Sequence, residues 1–169
     1  SWLRTPLIVI RSTIPPGTTD RLEAEHKVNV VFCPEYVGSS SVAHPLNDNR
    51  LRSFLILGGR PTCTETALQA FQQVYNASVK VMRCTAKEAE VIKYTENSFI
   101  ATYVTFCNEF AQVAKTFDVS WSTVREGFLL DPRMTPYWTF VYPENPGFGG
   151  HCLPKDLNAI VAASRAAGY

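Results

Sequence analysis

The feature that most constrains the fold of this chain is a long run without glycine or proline, which ends only at Gly127. Inside the run lies Thr85-Ala-Lys-Glu88, a capping box in which the threonine and the glutamate bond to backbone groups at the start of a helix. Because nothing inside the run breaks a helix, the sequence predicts one long helix from about Ala86 to Thr116.

This predicted helix carries a polar stripe made of Lys93, Asn97 and Asn108. At roughly 100° per residue the three side chains fall within about 60° of one another. The stripe is either a solvated face or the lining of a site. Two carboxamides and one lysine make a poor solubilising face, which favours a lined site on an otherwise apolar segment that includes Ile92, Phe99, Ile100, Val104 and Phe106.

Before the long helix, apolar runs rich in β-branched residues alternate with helical patterns. The alternation predicts an α/β fold with a partial, parallel sheet of Rossmann type, followed by a helical region. The predicted strands are 7–10, 28–32, 54–59 and 79–82. The predicted helices are 18–26, capped by Thr18 or Thr19, 65–74, 120–128, capped by Ser120, and 154–167, stopped by Gly168; residues 39–46 are predicted to form a short helix or a loop.

Polar residues follow the first two predicted strands. Thr13 lies after the first strand, and Glu35 lies after the second, behind a proline. Because open α/β sheets bind ligands at the carboxyl ends of their strands, both side chains are candidates for a site. The alternatives are that Thr13 is a turn residue and that Glu35 is a solvated loop carboxylate.

A glycine-rich segment, Asn145–Asn158, carries one cysteine where a loop becomes a helix. Pro154 suits the first helical position, so Cys152 is predicted to lie just before the helix. The helix N-terminus and Lys155 would favour the thiolate, and Asp156, four residues on, would share its helical face as a base. The alternative is a buried structural cysteine beside a turn.

Composition limits the classes of partner. The formal net charge of +1 predicts no attraction to nucleic acid or to acidic membranes, and no apolar run approaches the roughly 18 residues that span a bilayer. The five cysteines are scattered without a Cys-x-x-Cys pair, which predicts reduced thiols in the cytoplasm and neither disulfides nor a metal site. Cys33, Cys84 and Cys107 are predicted to be structural, and Cys63 to face solvent.

The phosphate-binding fingerprint of a dinucleotide domain, Gly-x-Gly-x-x-Gly after a strand, does not occur in the sequence. The chain also begins without methionine and enters a buried type of strand almost at once. We therefore expect that material preceding Ser1, including the phosphate-binding half of any nucleotide domain, is missing from this sequence.

Four sequence blocks, taken together, carry a family resemblance. They are Ser12-Thr-Ile-Pro-Pro-Gly17, Pro34-Glu-Tyr36, Ala89-Glu-Val-Ile-Lys-Tyr-Thr-Glu-Asn97 with Asn108-Glu109, and Gly149-Gly-His-Cys-Leu-Pro-Lys-Asp156. In sequence and spacing they resemble the nucleotide-sugar dehydrogenases, the UDP-glucose and GDP-mannose 6-dehydrogenases. The resemblance implies that residues 1–84 are the C-terminal part of an NAD-binding domain. It also implies that residues 85–169 are a central helical domain, which forms a homodimer.

The resemblance also implies a reaction, in which C6 of a nucleotide sugar is oxidised twice with two NAD⁺. Cys152 would attack the aldehyde, and the resulting thiohemiacetal would be oxidised to a thioester. Lys93 and Asn97 would stabilise the oxyanion. Asp156, with Thr13 and Glu35, would position or activate the water that hydrolyses the thioester.

The remaining residue roles implied by the resemblance concern binding. Thr13 and Lys155 would contact NAD, and Arg133 would reach the nucleotide sugar across a dimer interface. The implied substrate-binding set is Glu35, Tyr36, Lys93, Asn97, Arg133, Phe148 and Gly149.

The sequence departs from the family pattern at two places that bear on the substrate. Tyr36-Val-Gly-Ser-Ser40 stands where the family commonly has Phe-Leu-Arg-Glu-Gly, and His151 resembles the branch that acts on N-acetylhexosamines. The Leu-Pro-Lys-Asp that follows the cysteine resembles the glucose and mannose branches. The substrate therefore stays open among these sugars, with UDP-glucose favoured.

Two other classes of function remain. The long helix and the aromatic residues 137–142 could form a non-catalytic dimerisation module, which the missing fingerprint favours. A stand-alone thiol hydrolase would need a histidine partner for Cys152, and the adjacent His151 would generally point elsewhere.

Overall fold

The computed structural model describes residues 6–36, 53–75 and 78–169, and the chain divides into two compact units, Ser1–Tyr94 and Thr95–Tyr169. The prediction for residues 39–46 lies outside the described residues. The domain boundary at residue 84, which the family resemblance implies, stays a prediction. The elements in chain order are β1 (Leu7–Ile10), α1 (Thr18–His26), β2 (Asn29–Phe32), β3 (Phe54–Gly58), α2 (Pro61–Phe71), β4 (Lys80–Cys84), α3 (Ala86–Thr116), α4 (Trp121–Phe128) and α5 (Cys152–Ala166).

The strands form one sheet in the order β1-β2-β3-β4. β1 and β2 pair in parallel, as do β3 and β4, whereas β2 and β3 are antiparallel through Phe32 and Gly58. The predicted α/β fold is confirmed, but the prediction of an entirely parallel sheet is wrong at this one pair. Alternating elements predict which strands exist, but they do not determine the relative direction of every neighbouring pair.

One core cluster of the first unit lies between the sheet and α2, and a second joins Phe32 and Ile56 of the sheet to Ala89 of α3. Val31, Leu55 and Leu57 from the strands pack with Cys63 and Leu68 from the helix. Cys63 is 6% exposed, so the prediction that it faces solvent is wrong. The helix begins at Pro61, in the first turn where a missing N–H costs nothing, four residues before the predicted start, and this brings Cys63 into the helix on its buried side.

The long helix α3 begins and ends where the sequence predicts. Its capping box is formed, since Glu88 Oε2 accepts hydrogen bonds from the Thr85 N–H and hydroxyl, both at 2.7 Å. The helix lies against the end of β3 so closely that a Cβ built on Gly58 would stand 2.4 Å from the Cβ of Ala89. Glycine is therefore required at position 58 by this contact.

The start of α1 differs from its prediction. Its N-cap residue is Gly17, in the left-handed region at φ 89°, and neither Thr18 nor Thr19 caps the helix with its side chain. The hydroxyl of Thr18 donates instead to the carbonyl of Pro15. The N–H groups of Gly17 and Thr19 are satisfied by the carboxylate of Glu90, on α3.

In the second unit, Thr139 joins α4 to the aromatic segment. Its buried hydroxyl accepts from Arg125 Nε at 2.7 Å, and its carbonyl accepts from the indole of Trp121. Ser120 stands at the N-cap of α4 as predicted, but its hydroxyl contacts Ser122 Oγ rather than a backbone N–H.

α5 starts two residues earlier than its prediction, at Cys152, so Pro154 is its third residue and not its first. Its end agrees with the prediction, since Gly168 follows in the left-handed region at φ 96°. In the described residues, no helix is long and apolar enough to cross a membrane.

Candidate functional site

A polar cluster lies where β1 and β2 end, and we call Arg11, Thr13, Glu35, Tyr36 and Lys93 the strand-end cluster. The guanidinium of Arg11 contacts Glu35 Oε2, and the N–H of Tyr36 donates to Glu35 Oε1 at 2.7 Å. The backbones are also joined, since the N–H of Glu35 donates to the carbonyl of Arg11 at 3.1 Å. Both oxygens of the predicted catalytic carboxylate are therefore held in one orientation.

Arg11 is itself fixed from the other side. Its Nη1 donates to the hydroxyl of Tyr75 at 3.3 Å, and its guanidinium carbon lies 5.6 Å from the centre of the Phe71 ring. Partial burial works against the charge, but the hydrogen bond to Tyr75 and the charge of Glu35 outweigh it, so the pKa of Arg11 is raised. The guanidinium thus remains a stable positive partner for Glu35.

Lys93 approaches the same cluster from α3. Its ammonium nitrogen lies 4.2 Å from the centre of the Tyr36 ring, at cation–π distance. Thr13 is half-buried in the loop that follows Arg11. The structure therefore brings together Glu35, Tyr36 and Lys93, three residues predicted from separate parts of the sequence.

The second unit holds another cluster, Asn97, Cys152, Lys155 and Asp156, which we call the cysteine-helix cluster. The side-chain amide of Asn97 donates to Asp156 Oδ2 at 2.5 Å, across 59 residues of chain. The Lys155 ammonium contacts Oδ1 of the same carboxylate. Asp156 is 1% exposed, whereas the side chain of Lys155 is 58% exposed. The predicted base therefore joins α5 to α3.

Cys152 is the first residue of α5 and is exposed. Asp156, four residues on, lies on the same face of the helix. All five cysteines are free and lie among the described residues, and burial raises the pKa of the Cys84 and Cys107 thiols. Of the five, Cys152 alone is exposed, so its thiol is the most accessible to a substrate.

The glycine-rich loop is attached to α3 through Asn108. The N–H of Gly147, at φ 91°, donates to Asn108 Oδ1 at 2.9 Å, and Asn108 Nδ2 donates to the carbonyl of Val104 at 2.8 Å. Lys93, Asn97 and Asn108 are only 8%, 6% and 8% exposed. The stripe is therefore buried, and the interpretation as a solvated face is wrong.

Phe148 of this loop lines an open groove of about 420 Å³. The groove runs between α3 and the start of α5, and the exposed Gly149 follows Phe148 in the loop. Its walls are Ala101, Thr102, Thr105, Phe106, Glu109, Phe110, Phe148 and Leu157.

Arg133 lies in an exposed turn of the second unit. Its guanidinium pairs with Asp131, with Nη2 at 2.5 Å from Oδ2. This pairing lowers the pKa of the Asp131 carboxyl. Arg133 is therefore accessible on the surface, and its predicted contact with a nucleotide sugar stays a prediction.

Sequence reasoning missed two residues, Arg11, which holds Glu35, and Glu90, which binds the start of α1. Arg11 directly precedes the Ser-Thr-Ile-Pro-Pro-Gly block, and Glu90 lies inside the block that contains Lys93, yet neither was given a role. A basic residue at a strand end could have indicated a partner for Glu35. Nothing local indicates that Glu90 reaches α1, because the two are more than 70 residues apart in sequence.

The features described so far are those of an α/β enzyme: polar side chains gathered at strand ends, and an exposed thiol at the start of a helix that carries a buried carboxylate. Comparison with known proteins specifies the family. Residues 87–169 match the description "UDP-glucose/GDP-mannose dehydrogenase family, central domain".

Individual relatives cover nearly all of the chain. It is 30% identical to a UDP-glucose 6-dehydrogenase of Pseudomonas aeruginosa, over 96% of this chain and 37% of that protein. It is 33% identical to a UDP-N-acetyl-D-mannosamine dehydrogenase of Methanocaldococcus jannaschii, over 94% of this chain and 36% of that protein. A solved UDP-glucose dehydrogenase from Pyrobaculum islandicum matches with a TM-score of 0.81 and 30% identity, over 96% of this chain and 38% of that one.

The chain therefore belongs to the UDP-glucose/GDP-mannose dehydrogenase family, and the resemblance of its four sequence blocks is confirmed. It spans a little over a third of the length of the curated relatives that it matches.

Proposed function

We propose that this chain is part of an NAD-dependent nucleotide-sugar 6-dehydrogenase, which oxidises the C6 alcohol of a UDP-sugar to a uronic acid through a thioester on Cys152. The observation that carries the proposal is the buried hydrogen bond between Asn97 and Asp156, which joins two predicted catalytic residues at the helix that Cys152 begins. UDP-glucose is the favoured substrate, because UDP-glucose 6-dehydrogenases recur among the relatives. The Methanocaldococcus relative makes UDP-N-acetyl-D-mannosamine the second sugar to test.

Cys152 would act as the nucleophile. Its sulfur would form a bond to C6 of the aldehyde, and the carbonyl oxygen would become the negatively charged oxygen of a thiohemiacetal. One N–H of the Asn97 amide donates to Asp156, which leaves the second N–H to donate to that oxygen. Lys93 would contribute positive charge to the same oxyanion.

Asp156 would act in hydrolysis of the thioester. Its buried carboxylate accepts from an amide and from an ammonium group, and an oxygen still has a lone pair to take a proton from water. The water oxygen would then form a bond to C6, and the Cys152 sulfur would leave. Glu35, whose two oxygens are held by Arg11 and the Tyr36 N–H, would assist this step.

The strand-end loops would hold one side of a dinucleotide. The loop after β1 leaves the carboxyl end of a parallel strand, where open α/β sheets bind such ligands, while the glycine fingerprint for the pyrophosphate does not occur in the sequence. Thr13 and Lys155 would each hold part of the cofactor. NAD⁺, when bound, accepts the hydride removed from C6.

The proposal includes a homodimer and a cytoplasmic location. Exposed apolar side chains of the second unit support a homodimer formed through the central helices, and the five free cysteines support a reducing compartment. Arg133 would reach across the dimer to the nucleotide sugar. The same exposed side chains favour a second candidate function, a non-catalytic dimerisation module; those on α3 and the aromatic segment are Phe99, Phe106, Phe110, Val113, Tyr137, Trp138, Phe140 and Tyr142.

A panel of nucleotide sugars offered to the native full-length protein, with NADH absorbance as the readout, separates these functions. We expect UDP-glucose to give two NADH per sugar, and Cys152→Ala to abolish formation of the acid. Cys84→Ala is the matched thiol control and should retain activity. No NADH with any sugar would favour the dimerisation module. We also expect the 169-residue chain alone to turn over no NAD⁺.

A further inference from the structure

Glu90 is a buried carboxylate of α3 that the reaction described above does not use. It is 0% exposed, and it accepts from the Gly17 N–H at 2.5 Å, from the Thr19 N–H at 2.9 Å and from the Thr19 hydroxyl at 2.7 Å. All three donors belong to the first turn of α1. Glu90 therefore caps a helix that is not its own.

We infer that Glu90 is a positioning residue, which holds the loop Ser12–Gly17 on α3 and so sets Thr13 relative to Lys93. This inference rests on the proposed function, because that function gives Thr13 and Lys93 their roles. Glu90 and Lys93 are three residues apart, so they lie on neighbouring positions of one helix face.

Glu90 caps α1 from another helix because the N-cap residue of α1 has no side chain that could do so. A serine or aspartate at an N-cap satisfies the first N–H groups with its own side chain, typically for about 1 kcal/mol. Here the N-cap is Gly17, which has no side chain, and its left-handed φ of 89° suits glycine. The chain thus exchanges a local cap for one that fixes α1 to α3.

The segment between Gly17 and Thr13 can carry this constraint to the site. Pro15 and Pro16 fix two backbone angles, and the carbonyl of Pro15 accepts from the Thr18 N–H at 3.1 Å and from the Thr18 hydroxyl at 2.6 Å. A displacement at Gly17 is therefore transmitted to Thr13, because the intervening residues have little freedom to absorb it.

α3 is tied to the sheet unit at two successive points. Glu90 binds the segment that follows β1, and Lys93 contacts Tyr36, in the loop that follows β2. One turn of α3 therefore contacts the segments that follow both strands. Lys93 contacts only the segment after β2, and Glu90 adds the contact with the segment after β1.

The test compares Glu90→Gln with Glu88→Gln in the native full-length protein. Both residues cap a helix, but Glu88 caps its own helix and has no contact with α1 among its hydrogen bonds to Thr85. A glutamine at position 90 presents an NH₂ to one of the donors, so at least one of the three bonds is lost. We expect kcat to fall about 10-fold or more, with the KM for the nucleotide sugar within about 2-fold, because small misplacements of catalytic groups are costly. Glu88→Gln should leave both near the wild-type values.

Two further readouts distinguish positioning from a general loss of structure. The effects of Glu90→Gln and Thr13→Ala on kcat should be less than multiplicative when combined, because Glu90 acts through Thr13. Amide hydrogen exchange in residues 12–19 should be faster in Glu90→Gln and unchanged in Glu88→Gln. If Glu90→Gln does not fold, Thr19→Val removes one donor and should give smaller changes in the same direction.

An unchanged kcat, fully multiplicative effects, or unchanged exchange in residues 12–19 would each overturn the inference. If the wild-type protein oxidises no nucleotide sugar, it is the proposed function that fails. The exchange measurement then still decides whether Glu90 holds the loop.

Discussion

Glu90 and Asp156 are both buried carboxylates that join distant segments of the chain, but their partners differ. Glu90, in the sheet unit, accepts from two backbone N–H groups and a threonine hydroxyl. Asp156, in the helical unit, accepts from the side chains of Asn97 and Lys155. Backbone donors cannot leave without opening a helix, whereas side-chain donors can rotate away. The arrangement at Glu90 therefore suits a fixed framework, and the arrangement at Asp156 suits proton transfer.

The largest expected effect that separates the two carboxylates is on turnover. Asp156→Asn removes the proposed proton acceptor but keeps the shape of the side chain, so we expect kcat of the full-length protein to fall about 100-fold or more. The amide also presents an NH₂ to one of the two donors, so the melting temperature should fall as well, but modestly. Steady-state NADH formation and a thermal melt measure the two quantities.

Asp118→Asn is the matched control for this substitution. Asp118 is exposed in the same unit at φ 56°, a conformation that asparagine tolerates, and the variant should behave as the wild type. If Asp156→Asn keeps its turnover and loses stability instead, Asp156 is a framework residue like Glu90, and the proposed difference between the two carboxylates is wrong.

The next largest effect is the loss of folding stability that we expect when Glu90 is replaced. Glu90→Ala leaves buried donors at the start of α1 without an acceptor, which should lower the free energy of unfolding by about 2–3 kcal/mol. Urea denaturation of the full-length protein measures this change. The control is Glu25→Ala on the exposed face of α1, expected to stay within about 0.5 kcal/mol of the wild type. Equal destabilisation by the two variants would contradict the role of Glu90 as a cap.

A smaller effect distinguishes the thiols of the two units. Cys33 and Cys63 in the sheet unit are buried, whereas Cys152 is exposed, so limiting alkylation of the native protein should label Cys152 at least about 10-fold faster. Peptide mass spectrometry gives the order of labelling. In Cys152→Ser, labelling of the other four cysteines should not accelerate. Equal rates at all five positions would argue against an accessible thiol site.

The smallest effect concerns Glu88, the glutamate that caps the start of α3 itself. The hydrogen bonds from the Thr85 hydroxyl and N–H lower the pKa of Glu88, so its capping stabilises the folded protein above its unfolded pKa of about 4.3 and is lost as pH falls through the lower, folded value. The difference in melting temperature between wild type and Glu88→Gln should therefore shrink below about pH 4.3. A difference that stays constant down to low pH would show that the carboxylate charge plays no part in the cap.

The sequence predicted the elements whose signals are local. The bounds of α3 follow from its capping box and from the absence of helix breakers, and the end of α5 follows from Gly168. Asn97 and Asp156, which the family resemblance assigns to one site, are hydrogen-bonded to each other, and their roles in that site stay predictions.

Long-range contacts explain what the sequence did not predict. Glu90 reaches α1 across more than 70 residues, so no periodicity or capping pattern near either partner contains it. Cys63 is buried because α2 begins at Pro61. A proline is typical of the first turn of a helix, but the apolar spacing of the later residues predicted a start at Glu65. The antiparallel pairing of β2 with β3 was not predicted either, because strand composition does not encode the relative direction of neighbouring strands.

The contact of Gly58 with Ala89 limits how this family member can vary. A methyl group at position 58 would stand 2.4 Å from the Ala89 Cβ and 3.0 Å from the Ala86 Cα and the Thr85 carbonyl oxygen. Ala89→Gly should therefore relieve only part of the cost of Gly58→Ala, because the two backbone contacts remain. Residue 58 is thus a marker of how closely the long helix lies on β3, and a homologue with a larger residue there should hold the start of this helix further from the strand.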